Sequence, residues 1–191
     1  SFGNQIQRSE KDLIDLPDLA NDRNKVNFEE IRAIADSKSL MFKFSNKETY
    51  AKYEPEGNIS KKLYKISEKI RCEKIGTNYF NGIKKNIENF YQKRISQIDI
   101  KSSEEKIIES FENYLRIKFL NFKSHSDIDK KLKTYKKDLN DKFKNKINNL
   151  NKLILNQDKF NSLISQIISD MHLDENLDED QVREDENNKD N

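Results

Sequence analysis

The stretch ISEKIRCEKIGTNYFNGIKKNIENF, residues 66–90, decides how the chain folds. Its apolar residues fall at Ile66, Ile70, Ile75, Tyr79, Ile83, Ile87 and Phe90, three to five apart. That spacing draws one face of an α-helix, with a slip near Gly76. Two of the four glycines, Gly76 and Gly82, lie inside this run. A glycine within a helix costs about 1 kcal/mol relative to alanine. It marks a bend, or a close approach of another element to the backbone. The expectation is a long helix from Ile59 or Ser60 to Ile95, bent or broken between the two glycines and tightly packed beside both.

Upstream, Asn27 with Glu30 three residues on reads as a capping box. It opens a helix carrying Phe28, Ile31, Ile34, Ala35, Leu40, Met41 and Phe44 and ending near Ser45 or Asn46. Pro55 and Gly57 then place a loop over residues 50–58. Before Asn27, the segment LIDLPDL is expected to lie extended across the body on Leu13, Leu16 and Leu19, because the residue before Pro17 avoids the helical region.

Downstream, Ser103 is expected to cap a helix with Ile107, Ile108, Phe111, Tyr114, Leu115, Phe119 and Phe122 facing inward. Residues 124–127 punctuate. From 127 to 155 nothing obvious breaks a stripe of Ile128, Leu132, Tyr135, Leu139, Phe143, Ile147, Leu150 and Ile154, so one helix of roughly 40 Å is expected. A last helix presents Phe160, Leu163, Ile164, Ile167, Ile168 and Met171. The fold class is all-α: about five helices over residues 27–173, an extended segment over 1–26, and a disordered acidic tail over 174–191. No repeat of solenoid period is present.

Charge is distributed unevenly. Residues 174–191 hold nine acidic residues against Arg183 and Lys189, a net of −7, while the other 173 residues carry +9. A basic body with an acidic end fits a solvated linker that keeps a following domain soluble, or that touches basic partners. The single cysteine, Cys72, excludes an internal disulfide and fits a cytoplasmic setting. Cys72 beside Arg71 invites a lowered pKa, but a buried, inert thiol is the preferred reading. The two histidines, His125 and His172, are too few for a zinc set with one cysteine; His125 is expected at an inter-helix turn and His172 at a helix end, both as capping or surface residues. No apolar run is long enough to span a bilayer. The first residue is Ser, which fits a trimmed chain.

Residue chemistry alone offers no catalytic site. There is no P-loop and no GxGxxG. DSKS, residues 36–39, has letters of a metal-binding loop but the wrong spacing, within a helix. The pairs Glu29/Glu30 and Glu104/Glu105 read as solvated helix surface. YLRIKFLNFK, residues 114–123, and the run 135–144 interleave aromatics with lysines; core aromatics and solvated lysines are preferred over nucleic-acid binding, which needs both on one exposed face.

The ordered series IRAIADS (31–37), the Pro55–Gly57–Asn58 turn, EKIRCEKIG (68–76), Gly82, Asn86 and ISDMHL (168–173) resembles the N-terminal region of the CobT-type subunit of aerobic cobaltochelatase. Arg71, Glu73, Ile75 and Gly76 carry the clearest match, and Arg71, Glu73, Gly76 and Gly82 are candidates for structural or partner-contact roles. Glu56 departs as an insertion in the turn, and residues 91–157 match by pattern more than by identity.

The resemblance implies an ATP-dependent complex that inserts cobalt into hydrogenobyrinic acid a,c-diamide in aerobic cobalamin biosynthesis. In that complex ATP and magnesium act on an AAA+ partner in a ring assembly, and a large third subunit binds the corrin. It further implies an acidic linker, in which this chain is expected to stop, leading to a von Willebrand A-like domain. No catalytic residue, cofactor ligand or metal ligand is assigned here. A stand-alone helical scaffold or coiled-coil adaptor, acting through residues 127–155, is the alternative.

Overall fold

A computed structural model describes residues 28–123 and 133–173. All regular structure among them is helical: α1 (Phe28–Phe44), α2 (Lys47–Lys52), α3 (Asn58–Tyr79), α4 (Asn81–Gln97), α5 (Ser103–Leu120), α6 (Lys133–Phe143), α7 (Ile147–Lys152) and α8 (Gln157–Ser169). The expected all-α class is found. The expectations for residues 1–26, Asn27, residues 124–127 with His125, Ile128, Leu132 and the acidic tail fall outside the described residues.

The first part of the glycine-interrupted stretch, residues 66–77 of α3, lies at the centre. α3 packs against α1, α4, α5 and α8. Leu63, Tyr64, Ile70, Cys72 and Ile75 from α3 join Phe111, Leu115, Phe119, Phe143, Leu150, Phe160 and Ile168 in one apolar core. Phe111 and Tyr114 close on Phe143 with ring centroids 5.9 and 5.4 Å away, and Phe119 meets Phe160 edge-on at 6.2 Å. Large rings let an apolar-poor sequence fill this space from few positions.

The helix count exceeds the expected five for three local reasons. First, α3 and α4 are separate helices. Phe80 takes an extended conformation (φ −133°, ψ 96°) and its N–H still bonds to the Gly76 carbonyl at 3.0 Å. Thr77, Asn78 and Asn81, weak helix formers, surround the break. Second, the loop expected over 50–58 begins later. Asn46 accepts from the Thr49 N–H at 2.9 Å and caps α2, so Tyr50 to Lys52 are helical. The true turn centres on Gly57, whose φ of 87° suits glycine.

Third, the single long helix expected over 127–155 is not formed. α6 stops at Phe143, the Lys146 N–H turns back to the Phe143 carbonyl at 2.8 Å, and α7 starts anew. Phe143, Leu150 and Ile154 all face the body. The turn over residues 144–146 separates Phe143 from the other two, and all three are buried on the two sides of it.

Two further boundaries move. The cap of α5 is Ser102, not Ser103, and Glu105 completes a capping box with it. In α1 the buried stripe is Ala33, Ser37 and Leu40, whereas Phe28 from the expected stripe is 78% exposed. The α5 and α8 faces match expectation closely: Phe111, Leu115 and Phe119, and Phe160, Ile164, Ile167 and Ile168, are all buried.

Candidate functional site

The residues expected to matter most, Arg71 and Glu73, lie in the interior, within two chains of buried charge.

The first chain centres on Arg71. Its guanidinium grips the Glu68 carboxylate through Nε and Nη2, both at 2.8 Å, three residues back along α3. Nη2 also donates to the Phe44 carbonyl at 2.5 Å, and Nη1 to the Ile154 carbonyl at 3.0 Å. Phe44 ends α1, and Ile154 lies just past α7. Arg71 therefore ties the last residue of α1 and the turn that follows α7 to α3, a task suited to a planar, five-donor fork. Its Cζ also lies 6.0 Å from the Phe160 ring of α8.

The second chain runs from α1 to α4. Ser37 donates to Glu73 Oε1 at 2.6 Å, and Arg116 Nη1 donates to Glu73 Oε2, also at 2.6 Å. Arg116 Nε reaches Glu112 Oε1 at 2.9 Å. Arg94 of α4 then bridges Glu112 at 2.9 Å and grips Glu109 at 2.8 and 2.9 Å. The Tyr91 ring lies under Arg116 at 4.7 Å and beside Arg94 at 5.3 Å. Burial alone would raise the Glu112 pKa, but Arg116, Lys69 and Arg94 outweigh it and hold the carboxyl down to about 2. Arg116 is pushed above its ordinary value: burial disfavours its charge, and Glu73 and Glu112 more than restore it.

Cys72 is fully buried beside these groups. Burial, reinforced by the Glu68 charge, pushes its thiol up to about 12, although Arg71 acts in the opposite direction. The inert-thiol reading is the one the structure supports.

Gly76 is buried, and a Cβ placed there would sit 2.9 Å from Leu40 Cγ and nearer still to both Leu40 methyls. Here the expected close approach is present, made by α1. At Gly82 it is not: the position is exposed, and a Cβ added there would meet nothing within 4 Å. The expectation of tight packing is therefore corrected at Gly82, because the helix break at Phe80 carries that residue to the surface.

The other candidates are accounted for locally. Asp36 accepts from the Asn86 amide at 3.0 Å. Glu105 accepts the Lys101 and Ser102 N–H groups, which lower its pKa, and Glu104 pairs with Lys62 at 2.6 Å. Glu29 and Glu30 border a cleft of about 210 Å³ between α1 and α4, shared with Lys85, Asn86 and Lys93. His172 adopts a left-handed conformation (φ 50°) past the end of α8. In YLRIKFLNFK, Lys118 and Lys123 are exposed as expected, but Arg116 is buried. Sequence reasoning missed Ser37, Arg94, Glu109, Glu112 and Arg116. The only available signal was charged residues at i, i+4 on an otherwise apolar face, as in Glu112 and Arg116.

No group of three or more His, Cys, Asp or Glu among the described residues is arranged to hold a metal ion. No helix among them is long and apolar enough to cross a membrane. The arrangement is one of mutual satisfaction: the buried carboxylates Glu68, Glu73 and Glu112 each meet a guanidinium. Its chemical capacity is to fix helix positions.

Neither the characterised proteins nor the solved structures contain a significant match to this chain. A family model described as cobalamin biosynthesis protein CobT matches residues 1–191. The family has its place in a multi-subunit cobaltochelatase system. The chain belongs to the CobT family of cobalamin biosynthesis proteins.

Proposed function

We propose that this chain is the N-terminal assembly domain of a cobaltochelatase subunit. In this reading it docks a ring-forming AAA+ ATPase in the cytoplasm while a large corrin-binding subunit inserts cobalt into hydrogenobyrinic acid a,c-diamide. ATP and magnesium belong to the partner ring. Residues 174–191 begin a linker to a von Willebrand A-like domain.

The observation that carries this reading is the fate of the family-like helix. Glu68, Arg71 and Glu73 are at most 1% exposed and bonded internally, so the segment serves as a rigid frame. Just beyond it, where α3 gives way to α4, Tyr79 and Phe80 stand 68% and 51% exposed with ring centroids 6.4 Å apart. Exposed aromatics on a rigid support suit a partner contact, and we assign the docking surface to this corner.

The test is capture of the source organism's AAA+ chelatase subunit by the chain, with and without ATP and magnesium. Nucleotide-dependent capture, lost in Tyr79→Glu/Phe80→Glu with an unchanged melting curve, is the expected result. Capture that survives the double variant moves the docking surface elsewhere. Failure of both this chain and the full-length subunit to capture the ATPase rejects the assembly reading. The coiled-coil alternative required a free stripe on residues 127–155. Leu139 and Phe143 from that stripe are 3% and 0% exposed, so the surface it needed is already covered.

A further inference from the structure

The corner where α3 gives way to α4 carries charge of one sign. Residues 78–82 are all exposed, Tyr79 and Phe80 among them. Lys74 and Lys84 flank this stretch, and both are half-buried. Lys84 stands in the first turn of α4, with its N–H bonded to the Phe80 carbonyl at 3.4 Å. The two ammonium groups sense one another: burial lowers the Lys74 pKa, and the Lys84 charge lowers it further.

No carboxylate among the described residues balances them. From Lys74 to Ile87 the chain holds Lys74, Lys84 and Lys85 and no acidic residue. Glu73, one residue before, is engaged in the interior by Ser37 and Arg116. Asp36 of α1, which reaches α4, bonds to the Asn86 amide. No salt bridge among the described residues includes Lys74 or Lys84. Holding two like charges close together and half out of water is unfavourable, and a carboxylate supplied by a partner relieves it. Resting on the assignment of this corner as the docking surface, we propose that it takes an acidic segment of the ATPase. Carboxylates of that segment pair with Lys74 and Lys84, while an aliphatic side chain lies against Tyr79 and Phe80. Aromatic rings beside charged groups are the mixture that anchors a protein segment. Nucleic acid, the other polyanion, fits less well, because rings tilted by 53° to one another give no parallel platforms for stacked bases.

The experiment titrates the isotope-labelled 191-residue chain with the capped peptide Glu-Glu-Leu-Glu-Glu, and in parallel measures the affinity of the chain for the ATPase with nucleotide bound. In ~0.01 M salt the peptide is expected to shift the backbone amides from Asn78 to Lys85. In ~1 M salt the shifts vanish, as the Debye length falls from about 30 Å to about 3 Å. Lys74→Gln/Lys84→Gln is expected to abolish the shifts and to weaken the ATPase complex about tenfold or more. Its melting temperature is unchanged or raised, because the repulsion is gone. Equal ATPase affinity in variant and parent overturns the proposal. So do peptide shifts scattered over the whole body, or a short single-stranded oligonucleotide that binds the corner in preference to the peptide. Capture lost in Tyr79→Glu/Phe80→Glu but indifferent to the lysines keeps the corner as the docking surface and rejects the acidic segment. Peptide binding at the corner without capture of the ATPase rejects that partner and keeps the acidic chemistry.

Discussion

Arg116 on α5 and Glu73 on α3 form an ion pair at 2.6 Å, with side chains 2% and 0% exposed. Forty-three residues separate them in the chain. Taking two charges out of water is expensive, and only the surrounding bonds offset it. Glu73 has Ser37 and Arg116 on its two oxygens; Arg116 has Glu73, Glu112 and the Tyr91 face.

Removing one partner should therefore be worse than removing both. Glu73→Gln or Arg116→Met alone is expected to destabilise by about 3–5 kcal/mol. The double variant Glu73→Met/Arg116→Met is expected to lose less than the sum of the two single losses. Urea unfolding at neutral pH measures this, and strictly additive losses would falsify the coupling.

Acid should loosen the same network. The Glu112 carboxyl, ordinarily near 4.5, is held to about 2 in the folded chain. A depressed carboxylate pKa adds stability that is fully present above the unfolded value and is lost as pH falls through the folded one. The window is thus roughly pH 4.5 down to 2, and the contribution at stake is at most ~3 kcal/mol. In Glu112→Gln, where this carboxylate is gone, the decline of stability across that window should be visibly shallower. Parallel curves for the two proteins would exclude Glu112 as its source.

The glycines separate cleanly. Gly76→Ala drives a methyl into Leu40, which is itself 4% exposed and has little room to yield. A loss of about 1–3 kcal/mol is expected. Gly82→Ala, in the first turn of α4 and facing open space, should gain roughly 0.4–1 kcal/mol by restricting the unfolded chain. Opposite shifts in melting temperature are the signature; shifts of the same sign would reject this division.

Much of this architecture is legible in the sequence. The wide apolar stripe of α8 and the three-and-four spacing of α5 each name their buried faces, because a single face meets a single core. The Gly76–Gly82 interval also announces the α3–α4 break. The charge network is not legible. Arg71, Arg116, Glu73 and Glu112 are the residue types found on solvated helix faces, and only the convergence of α1, α3, α4 and α5 makes them interior. The continuous helix over 127–155 fails for a related reason. Its apolar period is unbroken, yet the turn that separates Phe143 from Leu150 is not written in the period. Likewise, Gly76 and Gly82 look equivalent in the chain, and only the placement of Leu40 distinguishes them.

The thiol of Cys72 should report global opening. It is fully buried and held protonated, with its pKa pushed up to about 12. A disulfide reagent at mildly alkaline pH is expected to leave the folded chain unmodified and to react once per chain in urea. The raised pKa also contributes stability that is present below the unfolded value of 9.0 and is lost as pH rises toward about 12. Rapid modification in native buffer would show that α3 opens locally.

Asn161 poses the opposite case to the satisfied charges. It lies on α8 with 0% exposure, and neither its amide nitrogen nor its amide oxygen has a hydrogen-bond partner among the described residues. A buried amide without partners carries a desolvation penalty of roughly 1–3 kcal/mol. Its neighbours on α8 include Phe160 and Ile164, both core residues, and leucine has the same branched outline as asparagine with better helix propensity. Asn161→Leu is therefore expected to raise the urea midpoint, by an amount corresponding to about 1 kcal/mol or more. Asn161→Asp, which places a charge in the same surroundings, should lower it at neutral pH and recover part of the loss as pH falls and the carboxyl protonates. If Asn161→Leu instead destabilises the chain, the buried amide carries no net penalty and this reading of Asn161 is wrong.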